Sequence, residues 1–87
     1  MRFEFDAAKS AANKLKHGID FVEAQALWAD PNRLETPART VDEPRHQVVG
    51  RIGKTIWSAF ITYRHEAIRI ISVRRARAEE EARYLAD

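Results

Sequence analysis

Residues 2 to 5 alternate, with Arg2 and Glu4 polar and Phe3 and Phe5 apolar, which predicts a short, half-buried strand. Asp6 then reads as an N-cap, because its carboxylate can accept the free amides of a first helical turn. A helix is predicted over about 7–16, with Ala8, Ala11, Ala12 and Leu15 as a narrow apolar stripe. Lys14, Lys16 and His17 fall at its end, where cations favour the helix dipole, and Gly18 is a left-handed stop. Asp20-Phe21-Val22-Glu23 has the form of a capping box, with Ile19 and Ala24 placed for a hydrophobic staple. The second helix presents Phe21, Ala24, Leu27 and Trp28 on one side and stops at Asp30-Pro31.

Residues 31–44 hold three prolines and predict a loop with a weak edge strand at 33–35. Three stronger strands follow at 46–52, 55–63 and 68–74. Gly53-Lys54 and Arg64-His65-Glu66-Ala67 are the hairpin turns between them. A last helix covers about 76–85, with Ala78, Ala82 and Leu85 facing inward. The order is β-α-α-β-β-β-β-α. Helices on either side of a tight meander imply an α+β domain built on a small antiparallel sheet. Leu15, Phe21, Leu27 and Trp28 are expected to pack on that sheet. In the last strand, strict alternation puts Ile68, Ile70, Ser72 and Arg74 on one face and Arg69, Ile71, Val73 and Arg75 on the other.

The length of 87 residues suits a single domain spanning 1–87. No cysteine is present, so neither a disulfide nor a thiolate metal site is available. The apolar runs are too short to span a bilayer, and the alternating start predicts no signal peptide, which points to the cytoplasm. Net charge is only +2, but Arg64, Arg69, Arg74, Arg75 and Arg77 cluster against the single acid Glu66, and Glu79, Glu80 and Glu81 follow. A local arginine cluster in a nearly neutral chain suggests an anion site.

Several segments together resemble the BrnT toxin family. They are Phe3-Glu4-Phe5-Asp6 with Lys9 and Asn13, then Lys16-His17-Gly18-Ile19, Phe21, Glu23-Ala24 and Asp30-Pro31, then Glu43 and Arg45. Arg69-Ile70-Ile71-Ser72-Val73-Arg74-Arg75-Ala76 follows, with Glu80 and Tyr84 after it. Phe5 stands where many members have Trp, and Val73 where Ala is usual. The resemblance implies a RelE-like fold, RNA cleavage that halts translation without a metal or cofactor, and a DNA-binding, ribbon-helix-helix partner of the BrnA type.

Cleavage of that kind passes through a dianionic phosphorane, which calls for fixed positive charge, a proton acceptor and a proton donor. Arginine forks across two phosphate oxygens and stays charged, so it suits the first role. The candidate phosphate clamp is Arg74 with Arg64 or Arg75, and Arg69 is a candidate RNA contact. An arginine of this set could instead pair with Glu43, Glu79 or Glu80. Candidates for proton transfer are His65, beside Arg64, and Tyr84 on the last helix, with His17, His46, Tyr63 and Glu80 behind them. Lys9, Lys16 and His17 are candidates to guide RNA or to meet the antitoxin, against a plain capping and solvation role. Trp28, Trp57, Phe60 and Phe21 are assigned to the core. Beside the ribonuclease reading stands a non-catalytic module that pairs with a DNA-binding antitoxin and co-regulates its operon. A basic nucleic-acid-binding domain unrelated to toxins is the third.

Overall fold

The computed structural model describes residues 1–39 and 43–86. The chain runs β1 (Arg2–Glu4), α1 (Ala7–His17), a 3₁₀ segment (Glu23–Ala29), β2 (Leu34–Ala38), β3 (Arg45–Ile52), β4 (Thr55–Arg64), β5 (Ala67–Arg75) and α2 (Ala78–Leu85). The strands form one sheet in the order β1-β5-β4-β3-β2. β2 to β5 are an antiparallel meander, whereas β1 lies parallel to β5, with Phe3 opposite Ile68. The sheet is therefore mixed and not wholly antiparallel. A three-residue strand carries no local sign of the edge it will join, and the long stretch between β1 and β5 permits a parallel pairing.

The predicted caps form. Asp6 accepts from Lys9 N at 3.0 Å, and Gly18, at φ 82°, closes α1 with its N–H on Lys14 O. Asp20 and Glu23 exchange backbone-to-carboxylate bonds of 3.0 and 2.7 Å. The segment they open is 3₁₀, not α. Phe21, Ala24 and Leu27 are spaced by three and all are buried, and 3₁₀ winding stacks positions i and i+3 on one line. β2 outruns the expected 33–35 and includes Pro37, tolerated because β2 is an edge strand. Residues 40–42 of the expected loop lie outside the described residues.

One sheet face carries the main core: Val48, Trp57, Ala59, Ile61, Ile68, Ile70 and Val73 meet Ile19, Phe21, Ala24 and Leu27. Phe3 packs edge-on to Trp28 and Phe5 edge-on to Phe21 at its margin. Both flanking helices invert the predicted orientation. Ala8, Ala11, Ala12 and Leu15 of α1 are exposed, and its buried residues are Ser10 and Asn13. Ala78, Ala82 and Leu85 of α2 are likewise exposed, while Glu80 and Tyr84 face the sheet. In each case buried polar partners outcompete the weak attraction of alanine. Ser10 accepts from Phe21 N, Asn13 bonds Ile19 and Val73, and Glu80 gathers five donor atoms from three other elements and the α2 N-cap.

β5 is not regular. Phe60 pairs with Ser72 and Ile61 with Ile70, which leaves Ile71 as an extra residue in a bulge. The bulge shifts the side-chain parity by one. Val73 joins Ile68 and Ile70 on the core face, and Arg69 and Arg74 fall together on the opposite face.

Candidate nucleic-acid interface

That opposite face is only partly covered. α2 lies over its β2–β3 side, where Tyr84 packs with Val49, Ile56 and Leu34. The remainder presents arginines. The β4–β5 register sets Arg69 opposite Thr62 and Arg74 opposite Ser58, and Arg64 ends β4 on the same side. Continuing the β3–β4 register one residue past His46 and Ile61 sets Arg45 beside Thr62. Phe60, half-buried rather than part of the core, lies among them with the Arg74 guanidinium 5.2 Å from its ring centroid.

The acids on this face hold the arginines without enclosing them. Arg69 pairs with Glu4 at 3.5 Å and Arg64 with Glu43 at 3.7 Å. Arg74 is bound most firmly, with its two Nη atoms 2.8 and 2.9 Å from the Glu80 oxygens. Glu80 also accepts from Arg77 N, Ser58 Oγ and Gln47 Nε2. The Arg74 contact, helped by the Arg77 and Gln47 donors, outweighs the cost of burial and holds the Glu80 carboxyl far below its ordinary range. Arg74 Nη1 also donates to Arg75 O. Three of the five guanidinium N–H groups are thus taken, and the Nε–Nη2 edge keeps a second fork.

The remaining predicted site residues are dispersed. Arg64 stands six residues along β4 from Ser58, the partner of Arg74, or about 20 Å at about 3.3 Å per residue. His65 is at the hairpin tip beside Arg64, with a positive φ of 49°. Arg75 points to the core face, 5.8 Å from the Trp57 ring centroid. Arg74 therefore shares no phosphate-sized site with either predicted clamp partner. Alternation along β5, which sets Arg75 on the face opposite Arg74, and the length of β4 are the reasons. Tyr84 donates to Asp30 at 2.6 Å under the Arg51 guanidinium, and this bond raises its pKa. Burial pushes Asp30 up, but donors from Tyr84, Arg51 N and Asn32 N outweigh it and leave that carboxyl low. Lys9, Lys16 and His17 lie on α1, whose buried side meets the core face of the sheet.

Two features escaped the sequence. Arg45 belongs to the motif, and the two tight turns fix the registers that set it across Thr62 from Arg69. A second basic hollow, of about 370 Å³, lies at the β3–β4 hairpin end between Arg51, Lys54 and Arg75. On the core face, Tyr63 donates to Glu35 at 2.6 Å beside His46, and burial with that bond pushes the phenol up to about 12.

Among the described residues, no helix is long and apolar enough to cross a membrane. The family described as "Ribonuclease toxin, BrnT, of type II toxin-antitoxin system" matches residues 5–80, which takes in Arg45, Arg64, Arg69, Arg74 and Glu80. No curated protein matches the chain.

Proposed function

Because the chain belongs to the BrnT family of ribonuclease toxins of type II toxin–antitoxin systems, we propose that it cuts RNA on the arginine face without a metal, and so halts translation. The observation that carries this reading is the co-facial set Arg45, Arg64, Arg69 and Arg74 around the half-buried ring of Phe60. Arginines along one strand pair can hold successive backbone phosphates, and an aromatic ring between them can stack a base. Arg74 holds Glu80 end-on and offers its Nε–Nη2 edge to a phosphate oxygen pair, so Glu80 fixes the fork in place before RNA arrives. Fixed charge of that kind stabilises the dianionic state more than the ground state. His65, next to Arg64 at the hairpin tip, is the candidate for proton transfer. Tyr84, committed to Asp30, and Arg75, on the other face, then stand outside the reacting centre. The fold is read as RelE-like, the compartment as the cytoplasm, and the partner as a BrnA-type antitoxin.

Purified chain incubated with RNA in EDTA tests the reading. Cleavage should persist in EDTA. Arg69→Ala and Arg45→Ala should lower it by about 10²-fold, the usual loss for one transition-state phosphate contact. Arg51→Ala and Arg75→Ala should change it little. A reversed pattern moves the site to the hairpin-end hollow. Intact RNA with the folded parent, in EDTA and in magnesium alike, leaves the non-catalytic antitoxin-pairing module as the function.

A further inference from the structure

α1 is turned inside out. Its inward side is polar, with Ser10 and Asn13 spent on backbone bonds to Phe21, Ile19 and Val73. Its outward side is Ala8, Ala11, Ala12 and Leu15, and Leu15 is 91% exposed. At about 100° per residue these four side chains form one ridge along the helix. Along one flank of the ridge is a hollow of about 540 Å³, lined by Phe5, Ala11, Lys14, Leu15 and Asp20. Along the other flank stand Lys9 and Lys16, one heptad apart and therefore in line. α1 contains no acid, and among the described residues neither Lys9 nor Lys16 has an ion-pair partner.

We propose that this ridge is the seat of the antitoxin, and that the antitoxin segment docking there is an amphipathic helix with acidic residues along one edge. The proposal rests on the toxin–antitoxin reading above and adds the surface and the chemistry of the partner. Alanines on the crest let a second helix axis come close, and Leu15 with the adjoining hollow accepts a large apolar side chain from it. Acidic residues seven apart on the partner fall opposite Lys9 and Lys16.

Charge decides against an antiparallel second copy of this chain. In an antiparallel pairing about a two-fold axis, like edges of the two helices meet, so the Lys9 and Lys16 edges would oppose one another, cation against cation across the seam. In a parallel pairing they would face the Lys14 edge, where Glu23 already pairs Lys14 at 2.8 Å, and the oligomeric state of the free chain decides that case. The ridge also lies away from the arginine face, so an antitoxin seated there leaves its remaining chain to reach that face separately.

The test uses the full chain co-expressed with the protein encoded by the short gene beside its own, tagged on that partner. The parent should be retained. Ala12→Gln with Leu15→Gln should weaken retention by about 100-fold, as for loss of a buried anchor, and should leave RNA cleavage by the free chain unchanged. Both positions are exposed, so helical circular dichroism should match the parent. Lys9→Glu with Lys16→Glu should weaken retention by about tenfold at low salt and flatten its salt dependence. Full retention by the Ala12→Gln, Leu15→Gln chain overturns the docking proposal alone. A concentration-dependent dimer of the free parent, lost in that variant, overturns it in favour of a self-interface. A parent that retains no partner overturns the antitoxin part of the proposed function as well.

Discussion

Asn13 completes the free edge of β5 at Val73: its Oδ1 accepts from Val73 N at 3.2 Å and its Nδ2 donates to Val73 O at 2.9 Å. β1 pairs β5 only from Ala67 to Arg69, so beyond that the edge would stand open. One carboxamide does there what a strand would do, and it also ties the α1–Ile19 turn through Ile19 O at 2.8 Å. Asn13→Ala strands two buried carbonyls and an amide. It should destabilise the fold by about 2 to 4 kcal/mol, read from the urea midpoint. Asn13→Asp should cost at least as much, because a carboxylate has no donor for either carbonyl. A midpoint unchanged by both variants would show that water serves this edge as well as the side chain does.

The Arg74–Glu80 pair fixes an acid limit to stability. The Glu80 carboxyl is held well below its ordinary value of about 4.5, chiefly by Arg74. Its contribution is therefore complete above about pH 4.5 and is lost as pH falls toward the folded value. Glu80→Gln imitates the protonated state at every pH. It should be less stable than the parent by about 3 kcal/mol at pH 7, and the gap should close progressively between pH 4.5 and 2. Urea midpoints at pH 7, 4 and 3 measure this, and parallel curves would mean that Glu80 is not what titrates.

The strands from Arg45 to Arg75 were legible because alternation and two-residue turns are local signals, and the caps at Asp6, Gly18 and Asp20 were legible for the same reason. What local pattern misread was orientation. Alanines at helical spacing looked like an inward stripe, yet the buried sides of α1 and α2 are chosen by Ser10, Asn13, Glu80 and Tyr84, whose partners lie 6 to 60 residues away in the chain. The faces of β5 were misread through one residue. The bulge at Ile71 moves Arg74 to the face of Arg69 and Arg75 to the other, and nothing in Arg-Ile-Ile-Ser-Val-Arg-Arg announces it. The motif residues Asn13, Asp30 and Glu80 prove to be ties of the fold, each holding two or more groups.

Gly50 and Leu27 share one space. A Cβ on Gly50 would lie 3.0 Å from Leu27 Cδ2 and 3.4 Å from Arg33 Cβ and Asp30 Oδ2, with Leu27 wholly buried. Gly50→Ala should cost about 1 to 2 kcal/mol by overpacking, and Leu27→Ala about 2 to 4 kcal/mol by leaving a cavity. Together they should cost less than the sum, because the new methyl enters the space the leucine leaves. A double-mutant cycle on urea midpoints checks this, and strict additivity would place the strain of Gly50→Ala against Asp30 instead.

The β4–β5 turn sets stability against activity. His65 and Glu66 have φ of 49° and 67°, so both central positions of a two-residue hairpin turn are left-handed, yet neither is the glycine or asparagine such turns favour. Each costs on the order of 1 kcal/mol relative to glycine. Strain retained at a fold-neutral tip is a sign that a side chain there has another use, and His65 stands beside Arg64 at the end of the arginine face. Glu66→Gly should raise stability by about 1 kcal/mol and leave RNA cleavage at the parent rate. His65→Gly should raise stability by a similar amount but lower cleavage by about 10²-fold, the lower range for loss of a proton-transfer group. Both chains should match or exceed the parent's urea midpoint, so a fall in cleavage would not be charged to unfolding. If His65→Gly cleaves RNA as fast as the parent, the histidine is a turn residue only, and the proton must be exchanged elsewhere on the face.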